Sequence, residues 1–469
     1  MFARPRPQSP FICLRCLRKA SLSPAQAPRR PHTTTPPQRQ PFSSSTTLQN
    51  SSNPPPPPPS GVSALPHRRL ISLSGRDAAK FLQGLTTNNV SPFATTGWYT
   101  AFLNAQGRVL YDCFVYPASS VRGYREWLSG EGGGKGGDGL DWGCFIEVDG
   151  SVLEEVTKHL KRHKLRSKVN IKAVGEGEWG VWAAWDDTAP SASSHSDLGT
   201  EEGRRHIDRS SSSDSAGSTN LTNTSTSLIH IPDSRAPKFG HRIVSTTTSS
   251  TSSSPPLPPP LQHLPQTTPP SYHLRRLLHG IPEGPSEIPP TSALPLEHNM
   301  DLMSGIDFRK GCYVGQELTI RTKHTGVVRK RVLPVQLYRT DSAEPERLRY
   351  DADWAGPTPT PPKDADIKNF DALGGGRKGR AAGKFITSVG NVGLAMCRLE
   401  MMTDIRLTAE SAGAGAHVPG TEFGIKWVVD EPLEGREGAG REEVVKVKAF
   451  VPDWHRERAW EGKVQRRVG

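Results

Sequence analysis

The stretch Lys310-Gly311-Cys312-Tyr313-Val314-Gly315-Gln316-Glu317 holds the residue types best suited to chemistry in this chain. A thiol stands between two glycines, with Arg309 and Lys310 before it and Arg321 and Lys323 after it. Cysteine attacks electrophiles and binds metal as the thiolate, and neighbouring positive charge favours that form. Gly311 and Gly315 can take backbone conformations closed to other residues, which would set the thiol on a tight, exposed turn. Lys310 is expected to favour the thiolate. Gln316 and Glu317 are expected to orient the loop by hydrogen bonds or an ion pair with Arg321. The competing role for these neighbours is plain loop anchoring, and for Cys312 it is that of a structural cysteine.

The remaining thiols offer no framework. Cys13 and Cys16 form a C-x-x-C near the N-terminus, while Cys113, Cys144 and Cys397 are widely separated from Cys312 and from one another. No spacing among these four matches a zinc site or an iron–sulfur run.

The elements that must position Cys312 occupy only part of the 469 residues. Hydrophobic residues make up 34%, with 43 prolines and 45 glycines, too few apolar groups for one compact unit throughout. No apolar run approaches the roughly 18 residues that span a bilayer, so no membrane span is expected and the chain reads as soluble. The net charge is +12. Eight basic residues lie before Ser60 (Arg4, Arg6, Arg15, Arg18, Lys19, Arg29, Arg30 and Arg39), and the first acid is Asp77. The rest of the chain is therefore nearly balanced, which argues against nucleic acid as a partner. An Arg-rich, Ser-rich, acid-free leader has the composition of a mitochondrial transit peptide, with cleavage expected between Arg30 and Ser60 and a reducing compartment beyond it.

Residues 1–60 thus read as a disordered transit peptide and Pro-rich linker, Pro54 to Pro59 being stiff and extended. The folded body begins near residue 61. His67 to Leu73 reads as a strand, and Ser74 with Asp77 as a near capping box for a helix carrying Ala78, Phe81, Leu82 and Leu85. Strands follow at Gly97–Leu103 and Arg108–Tyr116 around the turn 104–107, and at Cys144–Val148. Ser151 reads as the cap of a helix with Val156 and Leu160 on one face and Lys158, Lys161 and Arg162 on the other. Strands at Val169–Val174 and Gly180–Trp185 close the first part of the body, 61–185. Ser/Thr-rich composition marks disordered insertions at 186–227 and 245–270, flanking body strands at 228–244. Body residues 271–338 carry a short helix at Tyr272–His279 and the Cys312 motif. The last part, 339–469, reads as a small antiparallel β-barrel containing a disordered insertion at 340–380. The fold class is α+β.

The Lys310–Glu317 octet resembles the signature of the folate-binding family related to the glycine cleavage T protein, an aminomethyltransferase. Gly280-Ile281-Pro282, Leu296 to Met300, Gly305 to Phe308 and Gly75-Arg76-Asp77 through Asn88 resemble its mitochondrial iron–sulfur cluster assembly branch. Asp233, Arg235, Gly240, Arg242, Gly383 and Thr387-Ser388 are further matches in the family's order. The resemblance implies a body of two interleaved α+β domains followed by a C-terminal barrel. It also implies a central channel for tetrahydrofolate, with Gly311, Tyr313, Gly315, Gln316, Glu317 and Arg321 as candidate ligand contacts and Asp112 as the acid that orients the folate. Aminomethyltransferases carry paired acids there; this chain has Tyr111-Asp112, so one survives.

Two functions follow from the resemblance. The first is an assembly factor in the mitochondrial matrix that matures [4Fe–4S] proteins such as aconitase with A-type scaffold proteins and apo-protein clients. A stable cluster needs about four ligands, so the chain would hold none of its own. Cys312 would then be a transient metal ligand shared with a partner, or would react with a folate-derived one-carbon unit. The second is a folate-dependent one-carbon transferase using Asp112. Basic runs at Lys158–Lys168 and Arg321–Arg331 suggest RNA only weakly, since such runs are usually solvated faces.

Overall fold

The computed structural model describes residues 53–130, 142–188, 228–246, 261–372, 380–405, 418–429 and 440–459. Most of the leader, most of both Ser/Thr-rich insertions and residues 373–379 lie outside them.

The first strands are β1 (Ser60–Ala64) and β2 (Arg68–Ser74), followed by α1 (Ala78–Gln83). Then come β3 (Trp98–Leu103), β4 (Val109–Pro117), α2 (Arg122–Gly130), β5 (Gly143–Asp149), α3 (Leu153–His163), β6 (Asn170–Ala173) and β7 (Trp179–Asp186). Strands β8 (Leu228–Pro232) and β9 (His241–Thr246) and helix α4 (Pro269–Leu278) complete the body up to the Cys312 loop. A five-stranded sheet has the order β3-β4-β5-β2-β6, and a four-stranded sheet has the order β1-β7-β9-β8. The second sheet takes its strands from both sides of the first in sequence, so the two halves of the body interleave as expected.

Period-two alternation sorts the side chains of the five-stranded sheet. Phe102, Cys113, Val115, Ile146, Ile71 and Leu73 face one core, shared with Phe81 and Leu82 of α1 and Val156 and Leu160 of α3. Tyr99, Ala101, Leu103, Phe114, Tyr116, Phe145 and Leu70 face another, shared with the four-stranded sheet and with residues from Ile281 to Tyr313. Arg68, Asp112 and Glu147 fall in phase with this second set and are buried with it.

After the Cys312 loop come α5 (Gln316–Thr325), β10 (Lys330–Tyr338), β11 (Asp366–Asn369), β12 (Gly383–Val389), β13 (Val392–Arg398), α6 (Leu399–Met402), β14 (Phe423–Val429) and β15 (Arg441–Ala449). The six strands close into an antiparallel barrel of order β10-β13-β12-β11-β14-β15, with β10 pairing both β13 and β15. Leu333, Phe385, Ile425 and Val447 fill its interior.

Several expectations are corrected. Segment 340–380 is not a disordered insertion throughout, because residues 340–372 are described and β11 is one wall of the barrel. Its Pro, Gly and Asp content disguises a strand of four residues. Residues 261–268 also belong to the fold: Thr267 donates its amide to Val62 at 2.8 Å and leads into α4. The proline run docks on the body, since the Trp185 indole donates to the Pro58 carbonyl at 2.9 Å and Asn53 donates to Trp354 at 2.9 Å. Ser74 ends β2 and caps nothing, while the Asp77 carboxylate accepts the Lys168 amide. Ser151 likewise does not cap α3: Asp149 caps the single 3-10 turn at 150–152 that leads into the helix, accepting the Ser151 amide at 2.9 Å, and α3 itself has no side-chain cap. No helix among the described residues is long and apolar enough to cross a membrane.

Candidate functional site

The Cys312 loop is built against the end of α1. Lys310 Nζ donates to the carbonyls of Gln83, Thr86 and Asn88 at 2.8, 2.6 and 2.9 Å. Those carbonyls follow a short helix, where unpaired acceptors accumulate. Val314 donates its amide to Gly84 at 3.1 Å, and Asp307 donates to Thr87. Thr87 Oγ1 donates to Gly305 at 2.6 Å, and the Asn88 amide reaches Ser304. Two stretches more than two hundred residues apart are thus laced side by side. The Lys310 ammonium also lies over the Tyr313 ring at 4.8 Å from its centroid. Burial lowers the Lys310 pKa to about 8. Lys310 is therefore an anchor, with its charge directed at backbone carbonyls.

The other end of the loop is fixed by two glycines. Gly315 has φ +79° and precedes α5. A Cβ there would lie 2.2 Å from the Asn104 carbonyl and 3.2 Å from Gly107 Cα. Gly107, also at positive φ, meets the Gly315 carbonyl and Leu318 in the β3–β4 turn. Only glycine at both positions allows this backbone approach. Gln316 turns back so that its Oε1 accepts the Tyr313 amide at 3.2 Å. Tyr313 is buried, and burial pushes its phenol up to about 12.

Cys312 stands exposed between these fixed neighbours, whereas Cys113, Cys144 and Cys397 are buried. A Cβ at Gly311 would meet nothing within 4 Å, and its φ lies outside the left-handed region, so this glycine leaves the approach to the thiol open. Glu317 and Arg321 are exposed on the first turns of α5. Of the expected ligand contacts, Gly315 and Gln316 hold the loop together.

Asp112 belongs to a different environment. It is 5% exposed on the inner face of β4. Its Oδ1 accepts the Gly284 amide at 3.1 Å, and its Oδ2 lies 3.9 Å from Arg68. Around it is a buried charge network that spans both sheets. Arg68 donates to Glu147 at 2.6 Å, and the Tyr116 hydroxyl donates to the same carboxylate. Arg235 clamps Asp233 through two nitrogens and donates to Glu283 at 2.6 Å. Arg242 and the Tyr272 hydroxyl donate to the same Glu283 oxygen. His67, at the rim, lies 3.4 Å from Glu283. No hydrogen bond or ion pair among the described residues joins Cys312 to this network.

Burial and the nearby Arg242, Arg235 and Arg68 act oppositely on Glu283, and the guanidinium groups hold its pKa well below the usual carboxylate value. For Asp112 burial prevails over Arg68, and Glu283 adds repulsion, so its pKa is raised. Asp112 Oδ2, both terminal nitrogens of Arg68, and the hydroxyls of Tyr99 and Tyr313 are buried with no hydrogen-bond partner among the described residues. Such orphaned atoms in a native interior call for a water or ligand.

The sequence pointed to Asp112, Asp233, Arg235 and Arg242 but gave no role to Arg68, Tyr99, Glu147, Tyr272 or Glu283. The available signal was a charged residue in phase with the apolar face of a strand, as at Arg68 and Glu147.

The family model for the CAF17 C-terminal beta-barrel domain matches residues 329–422. The chain is 43% identical over 426 residues to the "Iron-sulfur cluster assembly factor IBA57 homolog, mitochondrial" of Coccidioides immitis, covering 87% of this chain and 86% of that one. The homologs of the same name from Aspergillus clavatus (42%, covering 87% of this chain and 84% of that one) and Pyricularia oryzae (42%, covering 85% of each) are similar to it as well. Among solved structures, the glycine cleavage system aminomethyltransferase T of Bartonella henselae aligns with TM-score 0.46 and 10% identity over 84% of this chain and 86% of that one. At 42–43% identity over most of both chains, the chain belongs to the IBA57 family of iron–sulfur cluster assembly factor homologs.

Proposed function

We propose that this chain is a mitochondrial iron–sulfur cluster assembly factor that serves the maturation of [4Fe–4S] proteins such as aconitase. It works in the matrix with A-type scaffold proteins and apo-protein clients. The observation that carries the reading is Cys312, the one exposed thiol among the described cysteines, on a loop pinned at both ends. A single thiolate is too few to hold a cluster, which takes about four ligands. The cluster is cargo: Cys312 supplies one ligand while a partner supplies the others. Pinning costs the loop its conformational freedom before the partner arrives, so less is lost on binding.

The buried network suits tetrahydrofolate. The orphaned acceptor on Asp112 and the orphaned donors on Arg68 and Tyr99 match a ligand that carries both donors and acceptors. Bound there, the folate would supply a one-carbon acceptor nitrogen. Asp112 would orient it, and Arg68 would stabilise the carboxylate form of Asp112. That orphaned carboxylate oxygen also favours the second reading, a folate-dependent transferase.

The test is depletion of the protein followed by rescue, read as aconitase activity against an enzyme without a cluster. Cys312→Ala and Cys312→Ser are expected to accumulate normally and fail to rescue. A fully active alanine variant would remove the thiol from the mechanism. The transferase reading instead predicts that Asp112→Ala is the damaging change, and that the purified protein turns over tetrahydrofolate.

A further inference from the structure

Helix α3 buries Val156 and Leu160 and turns Lys158, Lys161 and Arg162 to solvent. The turn that follows, closed by Ser167 donating to Lys164 at 2.8 Å, adds Lys164, Arg166 and Lys168. At its tip Leu165 is 88% exposed, with φ +42°. A leucine held in the left-handed region and pushed into water is unusual on both counts.

A second segment joins this turn. Asp77 Oδ2 accepts the Lys168 amide at 2.7 Å, and a Cβ on Gly75 would lie 2.4 Å from the Lys168 carbonyl. Exposed Arg76 and Lys80 therefore stand beside the tip. The nearby acids do not balance them: Asp77, Glu154 and Glu155 are three against eight cations, and Glu154, which pairs with Lys158, lies with Glu155 in the opposite, first turn of α3. The last turn of a helix favours cations through its dipole, which accounts for Lys161 and Arg162. It does not account for Arg76, Lys80, Arg166, Lys168 or the leucine.

We propose that this turn is a peripheral docking surface for an anionic lipid bilayer. The long basic side chains reach lipid phosphates, and Leu165 enters the headgroup boundary. Each such cation near an anionic leaflet strengthens partition about fivefold. RNA would use the cations but leaves the exposed leucine without a role, and the turn has no aromatic ring on which a base could stack.

The full chain is sedimented with phosphatidylcholine vesicles, with and without roughly a third phosphatidylglycerol, at about 0.1 M salt. The wild type is expected to bind only the mixed vesicles. Reversal at Lys161, Arg162, Arg166 and Lys168 to Glu weakens partition by at least about tenfold. Leu165→Asp weakens it severalfold, and Leu165→Met, apolar and not β-branched, does not. The basic leader is common to all variants, and an unchanged circular dichroism melt controls for folding. Wild-type failure to bind, or reversal variants that partition like wild type, overturns the proposal. So does loss of affinity for a short single-stranded RNA with vesicle binding intact.

Discussion

Glu283 and Asp112 share one buried network, yet their protonation couples to folding with opposite sign. The folded pKa of Glu283 is depressed. Its stabilisation is therefore complete above the ordinary carboxylate value and is lost as pH falls through the folded value. Glu283→Gln leaves Arg235 and Arg242 buried and short of a counter-charge. We expect a loss of about 3–5 kcal/mol at neutral pH, read from urea unfolding, and a flatter acid limb of stability against pH. The folded pKa of Asp112 is raised, so its favourable contribution is confined to low pH and fades as pH rises through the folded value. Asp112→Asn keeps an oxygen for the Gly284 amide. It should melt at or above the wild-type temperature at neutral pH, and a clear fall in melting temperature would contradict the assignment.

At the scale of elements, the contact between Gly315 and the β3–β4 turn fixes where α5 begins. Gly315→Ala must move the Asn104 carbonyl and adopt positive φ. The expected cost is about 1–3 kcal/mol in urea unfolding, with weaker aconitase rescue because the thiol loses its mount. Much of this scaffold was legible beforehand. Alternation placed β3, β4 and β5 almost to the residue, and Gly315 was correctly given an unusual conformation. Helix α5 was not legible, since Gln316–Thr325 has no apolar stripe and its start is dictated by a contact with residues 104–107. The partner of Lys310 was hidden for the same reason: three carbonyls at 83–88 come together only in the folded chain. Cys312 and Asp112 could be named from the sequence, but their separation into an exposed loop and a buried charge network could not.

Across the whole molecule, strand β7 pairs with β1 on one side and with β9 on the other. The six-residue pairing to β9 joins chain on either side of residues 189–227. The charge network crosses the same line, with Arg68, Asp112 and Glu147 contributed from before it and Arg235, Arg242 and Glu283 from after it. Scission of the peptide backbone anywhere in 189–227 should therefore release nothing. The two fragments ought to elute together from a sizing column in native buffer and part only in denaturant. Expressed separately, each would lose the β7–β9 pairing and the contacts that cross the line, Arg242 to Glu147 and His67 to Glu283, and would depend on the other to fold.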